Sequence, residues 1–105
     1  MTKADIVEKV AFGTGLTKLE TEAIVEGFLN TVIGALREGR GIEIRGFGSY
    51  RVKKKKARYA RNPRTGEKVY VGEHYVPMFK FSKDFKSAVD AGMKVLDLKE
   101  NQEVN

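Results

Sequence analysis

The sequence predicts an α+β fold, and three observations carry that prediction. Apolar residues recur at helical spacing up to residue 38, alternate at every second position in separate segments between Gly41 and Phe81, and return to helical spacing after Ser82. Between the alternating segments lies a reversal, Asn62-Pro63 followed by Thr65-Gly66, set in a run of basic residues. The architecture expected is an N-terminal helical hairpin, a β-sheet with a long protruding β-hairpin arm, and a short C-terminal helix.

Thr2 with Asp5 three residues on reads as a helix cap, and Ile6, Val7, Val10 and Ala11 follow at helical spacing until Gly13 and Gly15. A fuller capping box, Thr17-Lys-Leu-Glu20, opens a second helix expected to run to about Glu38 and stop at Gly39. Val25, Phe28, Leu29, Val32, Ile33 and Leu36 form one apolar stripe, so the two helices should share a buried face. Gly27 and Gly34, each costing roughly 1 kcal/mol relative to alanine, lie in line with Ala23 opposite that stripe. That line is either a tolerated solvent face or a place where another helix or chain comes close.

Ile42 and Ile44 alternate with Glu43 and Arg45, and after Gly46-Phe47-Gly48 the alternation resumes at Tyr50 and Val52, which predicts two strand segments joined by a glycine-flanked bend. The second segment enters Lys53 to Lys56 and then the tip, where proline pre-sets φ and Gly66 takes the positive φ. Val69, Val71, Tyr75 and Val76 return as the partner strand, giving a hairpin over roughly 49–81 with the arm at about 53–75. Pro77 cannot donate to a ladder, so the return strand is an edge or is broken there. Phe79 and Phe81 look like core. Ser82 is placed to cap a third helix over 82–96, with Asp84 in its first turn and Phe85, Val89 and Met93 facing inward; 97–105 read as a frayed polar tail.

With 105 residues the chain is expected to be one domain, 1–96, near the size where a single core gives modest stability and oligomerisation helps. It has no cysteine, no apolar run of membrane-spanning length and no signal-peptide h-region at its start, so a soluble, intracellular protein without disulfides is expected. The net charge of +6 is unevenly spread: residues 1–44 carry −2, residues 45–96 carry +10 and residues 97–105 carry −2. Such concentration is the footprint of a nucleic-acid surface or, less often, of an anionic membrane.

An enzyme lacks its parts here. His74 is the sole histidine, no cluster has metal-ligand spacing, and Gly46-Phe-Gly48 lacks the third glycine and the strand-to-helix setting of a dinucleotide loop. No cofactor is expected. The functional signal is the basic arm: Arg51, Lys53, Lys54, Lys55, Lys56, Arg58, Arg61 and Arg64 follow one another without an acid between them. Adjacent lysines repel one another on a merely solvated face, whereas phosphates neutralise them and release counterions. Pro63 is a turn former by local sequence, but at the tip of such an arm it is also a rigid apolar wedge suited to enter a base step from the minor groove. Competing classes are a single-stranded DNA or RNA module stacking bases on Tyr50, Tyr59 and Tyr70, and a basic arm that meets acidic proteins or lipid.

Three motifs in order, Gly46-Phe-Gly-Ser-Tyr50, Arg61-Asn-Pro-Arg-Thr-Gly66 and Val76-Pro-Met-Phe-Lys-Phe-Ser-Lys83, resemble the bacterial histone-like HU/IHF proteins over about residues 1–93. Met1-Thr-Lys3 and Ile42-Glu-Ile-Arg-Gly-Phe-Gly-Ser49 resemble the beta-subunit type of integration host factor within that family. The resemblance implies an IHF-like intertwined dimer, either a homodimer or a heterodimer with a related subunit, whose two arms reach around double-stranded DNA in the bacterial nucleoid. It implies that Pro63 intercalates beside Arg61 and Asn62, that Arg58, Arg64 and Lys53 to Lys56 line the arm, and that Arg45 enters the minor groove next to Glu43. Lys3, Ser49, Lys80, Lys83 and Lys86 would then meet phosphates. HU and IHF wedge the minor groove with an apolar residue, and the resemblance implies that role for Pro63. Four consecutive lysines favour sequence-tolerant binding and the Glu43/Arg45 pair favours selectivity, so a moderate preference for deformable or prebent sites is expected.

Overall fold

A computed structural model of the protein describes residues 1–104. Where the length suggests one domain, the chain forms two compact units, Met1–Glu38 and a second beginning at Gly39.

The first unit is a helical pair, α1 (Lys3–Thr14) and α2 (Lys18–Arg37). Both capping boxes form as expected. The Thr2 hydroxyl accepts from the Asp5 N–H at 3.3 Å while the Asp5 carboxylate accepts from the Thr2 N–H at 2.8 Å, and Thr17 and Glu20 repeat the exchange at 3.1 and 3.4 Å. Gly15, at φ 77°, ends α1 in the left-handed conformation, and its N–H donates to the Ala11 carbonyl at 2.9 Å. Among the described residues the buried side chains of this unit are Val7, Ala11 and Thr21. Thr21 is fully buried, and its hydroxyl donates to the Thr17 carbonyl at 2.8 Å, so no polar atom is orphaned.

The stripe on α2 does not become a shared buried face. Val25, Val32 and Leu36 are half-buried, but Phe28, Leu29 and Ile33 stay exposed at 48%, 42% and 56%. Two helices meet along one seam only, and a stripe this broad needs a further surface to cover it. The line of Gly27 and Gly34 is open, with nothing within 4 Å of where a Cβ would stand.

In the second unit β1 (Ile42–Ile44), β2 (Gly48–Lys55) and β5 (His74–Phe81) form an antiparallel sheet in the order β1-β2-β5. The bend between β1 and β2 is a tight turn in which the Phe47 N–H donates to the Ile44 carbonyl at 3.0 Å, with Gly46 at φ 82°. β5 is an edge strand and runs unbroken through Pro77 opposite Val52, so the edge alternative is the one adopted. Beyond this sheet β3 (Arg58–Arg61) and β4 (Lys68–Val71) pair with each other as a two-stranded ribbon. Partner residue numbers total 129 in both ladders, as in 48 with 81 and 61 with 68. Residues 56–57 and 72–73 therefore interrupt the two strands equally, and register is kept across the gap.

An aromatic cluster holds this unit together. Phe79 lies 4.7 Å from Tyr50, 4.8 Å from Phe81 and 5.5 Å from Phe47, and Phe85 lies 5.2 Å from Phe47 and 4.7 Å from Phe81, all tilted or edge-on. Gly48 sits in the middle, where a Cβ would run into the Phe79 ring and come within 2.5 Å of the Lys80 carbonyl. The cluster is half-open, with Phe47 and Phe81 exposed at 40% and 45%.

The third helix, α3 (Lys83–Val104), begins as expected and ends later. Ser82 accepts from the Phe85 N–H at 3.1 Å, and its hydroxyl donates to the Gly46 carbonyl at 2.9 Å, so the cap also ties α3 to the β1–β2 turn. The expected short helix over 82–96 and frayed tail over 97–105 are corrected: α3 has 22 residues, and only Asn105 lies outside the described residues. Past Gly92 no proline or glycine stops it, its residues are mostly strong helix formers, and Lys94 pairs with Asp90 one turn back at 2.9 Å. Val89 and Met93, expected inward, are each 52% exposed.

Candidate nucleic-acid interface

Strand alternation sorts the basic residues. Ser49, Arg51, Lys53 and Lys55 fall on one face of β2, opposite Lys80, Met78, Val76 and His74 on β5, while Tyr50 and Val52 fall on the aromatic face with Phe79 and Pro77. Glu43 joins the basic face opposite Ser49. Lys86, one turn into α3, reaches the same groove as Ser49, Arg51 and Lys80. Lys83 and Lys86 also stand at the N-terminal end of α3, where a cation opposes the helix dipole and an anion is the natural complement. Arg51 joins this face although neither the arm tip nor the family resemblance points to it; its two-residue spacing from Ser49 and Lys53 is a sufficient signal.

Lys54 differs from its neighbours. It falls on the other face, where its ammonium meets the Glu73 carboxylate at 2.9 Å and lies 5.9 Å from the centre of the Tyr75 ring. Lys56 is in the gap between β2 and β3, and Arg45 is in the exposed β1–β2 turn.

On the outer ribbon Arg61 lies directly opposite Lys68, and Tyr59 opposite Tyr70 with ring centres 5.5 Å apart. Like charges facing each other across a ladder repel, a cost that an anion placed between them removes. Lys68 escapes a reading of the sequence alone, because its partner depends on register. Arg58 lies opposite Val71.

The tip is closed by its backbone. The Asn62 N–H donates to the Glu67 carbonyl and the Gly66 N–H to the Asn62 carbonyl, both at 2.8 Å, with Gly66 at φ 73° as its residue type anticipates. Asn62 Oδ1 accepts from the Arg64 N–H at 2.9 Å, an Asx turn that leaves the amide NH₂ as the group to donate outward. Pro63 is exposed at the apex, with Arg61 and Arg64 to either side.

Lys3 belongs to the helical unit. Its ammonium donates to Glu26 at 3.0 Å, and this hydrogen bond, followed by the attraction of the Glu26 charge, raises its pKa above the usual 10.5. The contribution is complete below that ordinary value and is lost as pH rises through the raised one. For so exposed a pair it is small. Among the described residues no group of three or more His, Cys, Asp or Glu is placed to hold a metal ion, and no helix is long and apolar enough to cross a membrane.

A capped helical pair, an antiparallel sheet with an aromatic face and a basic face, and a cationic two-stranded ribbon tipped by proline define a class of small α+β proteins with a basic arm. Residues 1–90 match the family model described as bacterial DNA-binding protein, and the chain belongs to this HU/IHF family. It is 42% identical over 96 residues to the integration host factor subunit beta of Nitrosomonas europaea, covering 90% of each chain. It is 41% identical over 93 residues to the integration host factor subunit alpha of Anaeromyxobacter dehalogenans, covering 89% of this chain and 82% of that one. Among solved structures, an Anabaena HU–DNA cocrystal superposes with a TM-score of 0.78 at 36% identity, over 85% of this chain and 97% of the other.

Proposed function

We propose that the protein is a dimeric architectural protein that binds, bends and compacts double-stranded DNA in the nucleoid, with Pro63 entering a base step at the tip of each arm. The single observation that carries this reading is the exposed Pro63 apex set on a ribbon whose cations Arg61 and Lys68 stand directly opposite each other. Membership of a DNA-binding family and the likeness to a protein crystallised with DNA support it. The dimer is supported by the amount of apolar surface one chain leaves uncovered, from Phe28 and Ile33 on α2 to the half-open aromatic cluster. Covering each such side chain is worth roughly 1.5–3 kcal/mol. The partner is a second copy or a related subunit.

In this mechanism the basic face carrying Ser49, Arg51, Lys53, Lys55 and Lys80, with Lys83 and Lys86 on α3, grips phosphates. Arg58, Lys54, Lys56 and Arg64 extend the grip along the arm, Arg45 enters the minor groove from the β1–β2 turn next to Glu43, and Lys3 adds a phosphate contact from the helical unit. Asn62 donates from its amide to groove-floor acceptors while Pro63 unstacks one step. Kinks of this kind are about 20–90° each, and unstacking costs a few kcal/mol, offset by binding along the flanks. Bending brings distant sites together, which supports recombination and transcription regulation.

Replacing Lys53 to Lys56 together by glutamine is expected to flatten the dependence of binding on salt, by up to about 0.9 in log–log slope for each phosphate no longer neutralised. Titrations at four or more ionic strengths measure it, and an unaltered slope removes these lysines from the interface. Lys54 is expected to contribute least, since it exchanges Glu73 for phosphate.

A single-stranded nucleic-acid module keeps one observation in its favour, the exposure of Tyr59 and Tyr70 at 70% and 63%. Tyr50, by contrast, is half-buried against Phe79. Competition among duplex DNA, single-stranded DNA and RNA of one length separates the readings, with duplex expected to win.

A further inference from the structure

We infer that Tyr59 and Tyr70 gauge the width of the minor groove, so that the arm selects DNA whose groove opens beside the wedged step, an inference that rests on the intercalation reading above. The interruptions at 56–57 and 72–73 each remove two residues, so strand alternation resumes in phase beyond them. Lys53 and Lys55 on the basic face of β2 are followed on that face by Tyr59 and Arg61 of β3, opposite Tyr70 and Lys68. Ala60 and Val69 fall on the reverse, where neither side chain can hydrogen-bond to the groove floor. The tyrosine pair is therefore set among cations, on the face that grips phosphates.

This rung differs from its neighbours in shape. Lysine and arginine are slender and bend to follow a backbone, whereas two aromatic rings are stiff and bulky. The ring centres are 5.5 Å apart, with planes inclined by 62°. At 70% and 63% exposure the rings project from the ribbon. Measured to its outer edges the pair is broader than the separation of its centres, and so broader than the ~6 Å minor groove of undistorted B-DNA. A-tracts are narrower still, while pyrimidine–purine steps unstack and kink readily. A strand rises about 3.4 Å per residue, so the four residues from Tyr59 to Pro63 place the rung within about four base pairs of the wedged step. Selectivity at those positions comes from groove shape and needs no base-specific contact.

The test uses the full chain and two duplexes of one length, each with the same two mismatched steps to fix where Pro63 enters. The four base pairs on either side of each step are an A-tract in one duplex and TA repeats in the other. The unaltered protein is expected to bind the TA duplex about tenfold or more tightly. Part of that ratio is the flexibility of TA itself and remains in every variant. Tyr59→Thr with Tyr70→Thr keeps the charge and a strand-favouring residue on both strands, and is expected to cut the ratio about fivefold with the salt dependence unchanged. Tyr59→Phe with Tyr70→Phe keeps the breadth of the rings and is expected to keep the ratio. A threonine variant that retains the full preference, or a phenylalanine variant that loses it, overturns the gauge. Energy transfer between the duplex ends separates this from the reading beneath it: absence of a bend in both duplexes with the unaltered protein overturns intercalation, whereas bending without a tyrosine-dependent preference overturns the gauge alone.

Discussion

DNA held by the Pro63→Ala protein is expected to be bent far less than DNA held by the unaltered protein, at nearly the same nonspecific affinity. The two quantities separate because they arise from different residues. Affinity for a duplex of arbitrary sequence comes from cations meeting phosphates, and Pro63 carries no charge. A bend needs a wedge that keeps a base step open, and the ring at the apex is rigid because Asn62, Gly66 and Glu67 close the loop beneath it. Alanine keeps the charges and most of the turn but loses the stiff apolar plate. Energy transfer between dyes at the two DNA ends measures the bend, and salt titration measures the affinity. A bend that survives the substitution defeats intercalation by Pro63, and a parallel collapse of both quantities assigns Pro63 to the folding of the tip.

Gly48→Ala is expected to destabilise the sheet unit by about 3 kcal/mol or more, at the upper end of overpacking effects. The new methyl would overlap the Phe79 ring and approach the Lys80 carbonyl at 2.5 Å, and Lys80 is held in the ladder opposite Ser49. Relief requires Phe79 to turn away from Tyr50, Phe47 and Phe81, so the cost spreads through the cluster. Urea unfolding of the variant checks it, with the midpoint expected to fall sharply. Gly27→Ala is the control: nothing lies within 4 Å of its Cβ position, so a gain of up to about 1 kcal/mol in helix propensity is expected in the single chain. A loss there instead would mean that another chain comes close to that line.

Features set by a few neighbouring residues are legible in the sequence. Both capping boxes, Gly15 and Gly39 at the helix ends, the period of two in the strands, the Asn62 to Gly66 reversal and the Ser82 cap all obey rules of short range. Features set by residues far apart are not. Thr21 is a polar residue at the most buried position of the helical unit, and only its bond back to Thr17 makes that tolerable. The crowding at Gly48 comes from Phe79, which lies opposite Tyr50 and leans diagonally over the glycine, so it follows from register and ring orientation together. The pairing of Lys54 with Glu73 requires both strand faces to be assigned, and without that four lysines look equivalent. The α2 stripe is apolar as its spacing predicts but is not covered, because periodicity reports which face seeks burial and is silent on which molecule supplies it. The end of α3 lies beyond its expected place because polarity is a poor guide to disorder where lysine, glutamate and glutamine, all good helix formers, supply it.

The matched gap at residues 56–57 and 72–73 has a mechanical consequence. A ribbon is stiff where rungs join its rails, and here the rungs stop on both rails at the same height, so compliance collects at one elbow. Since neither rail has spare length, every residue beyond the elbow keeps its opposite number. Any bending at that elbow would carry the tip as one piece, with its cross-strand pairs intact.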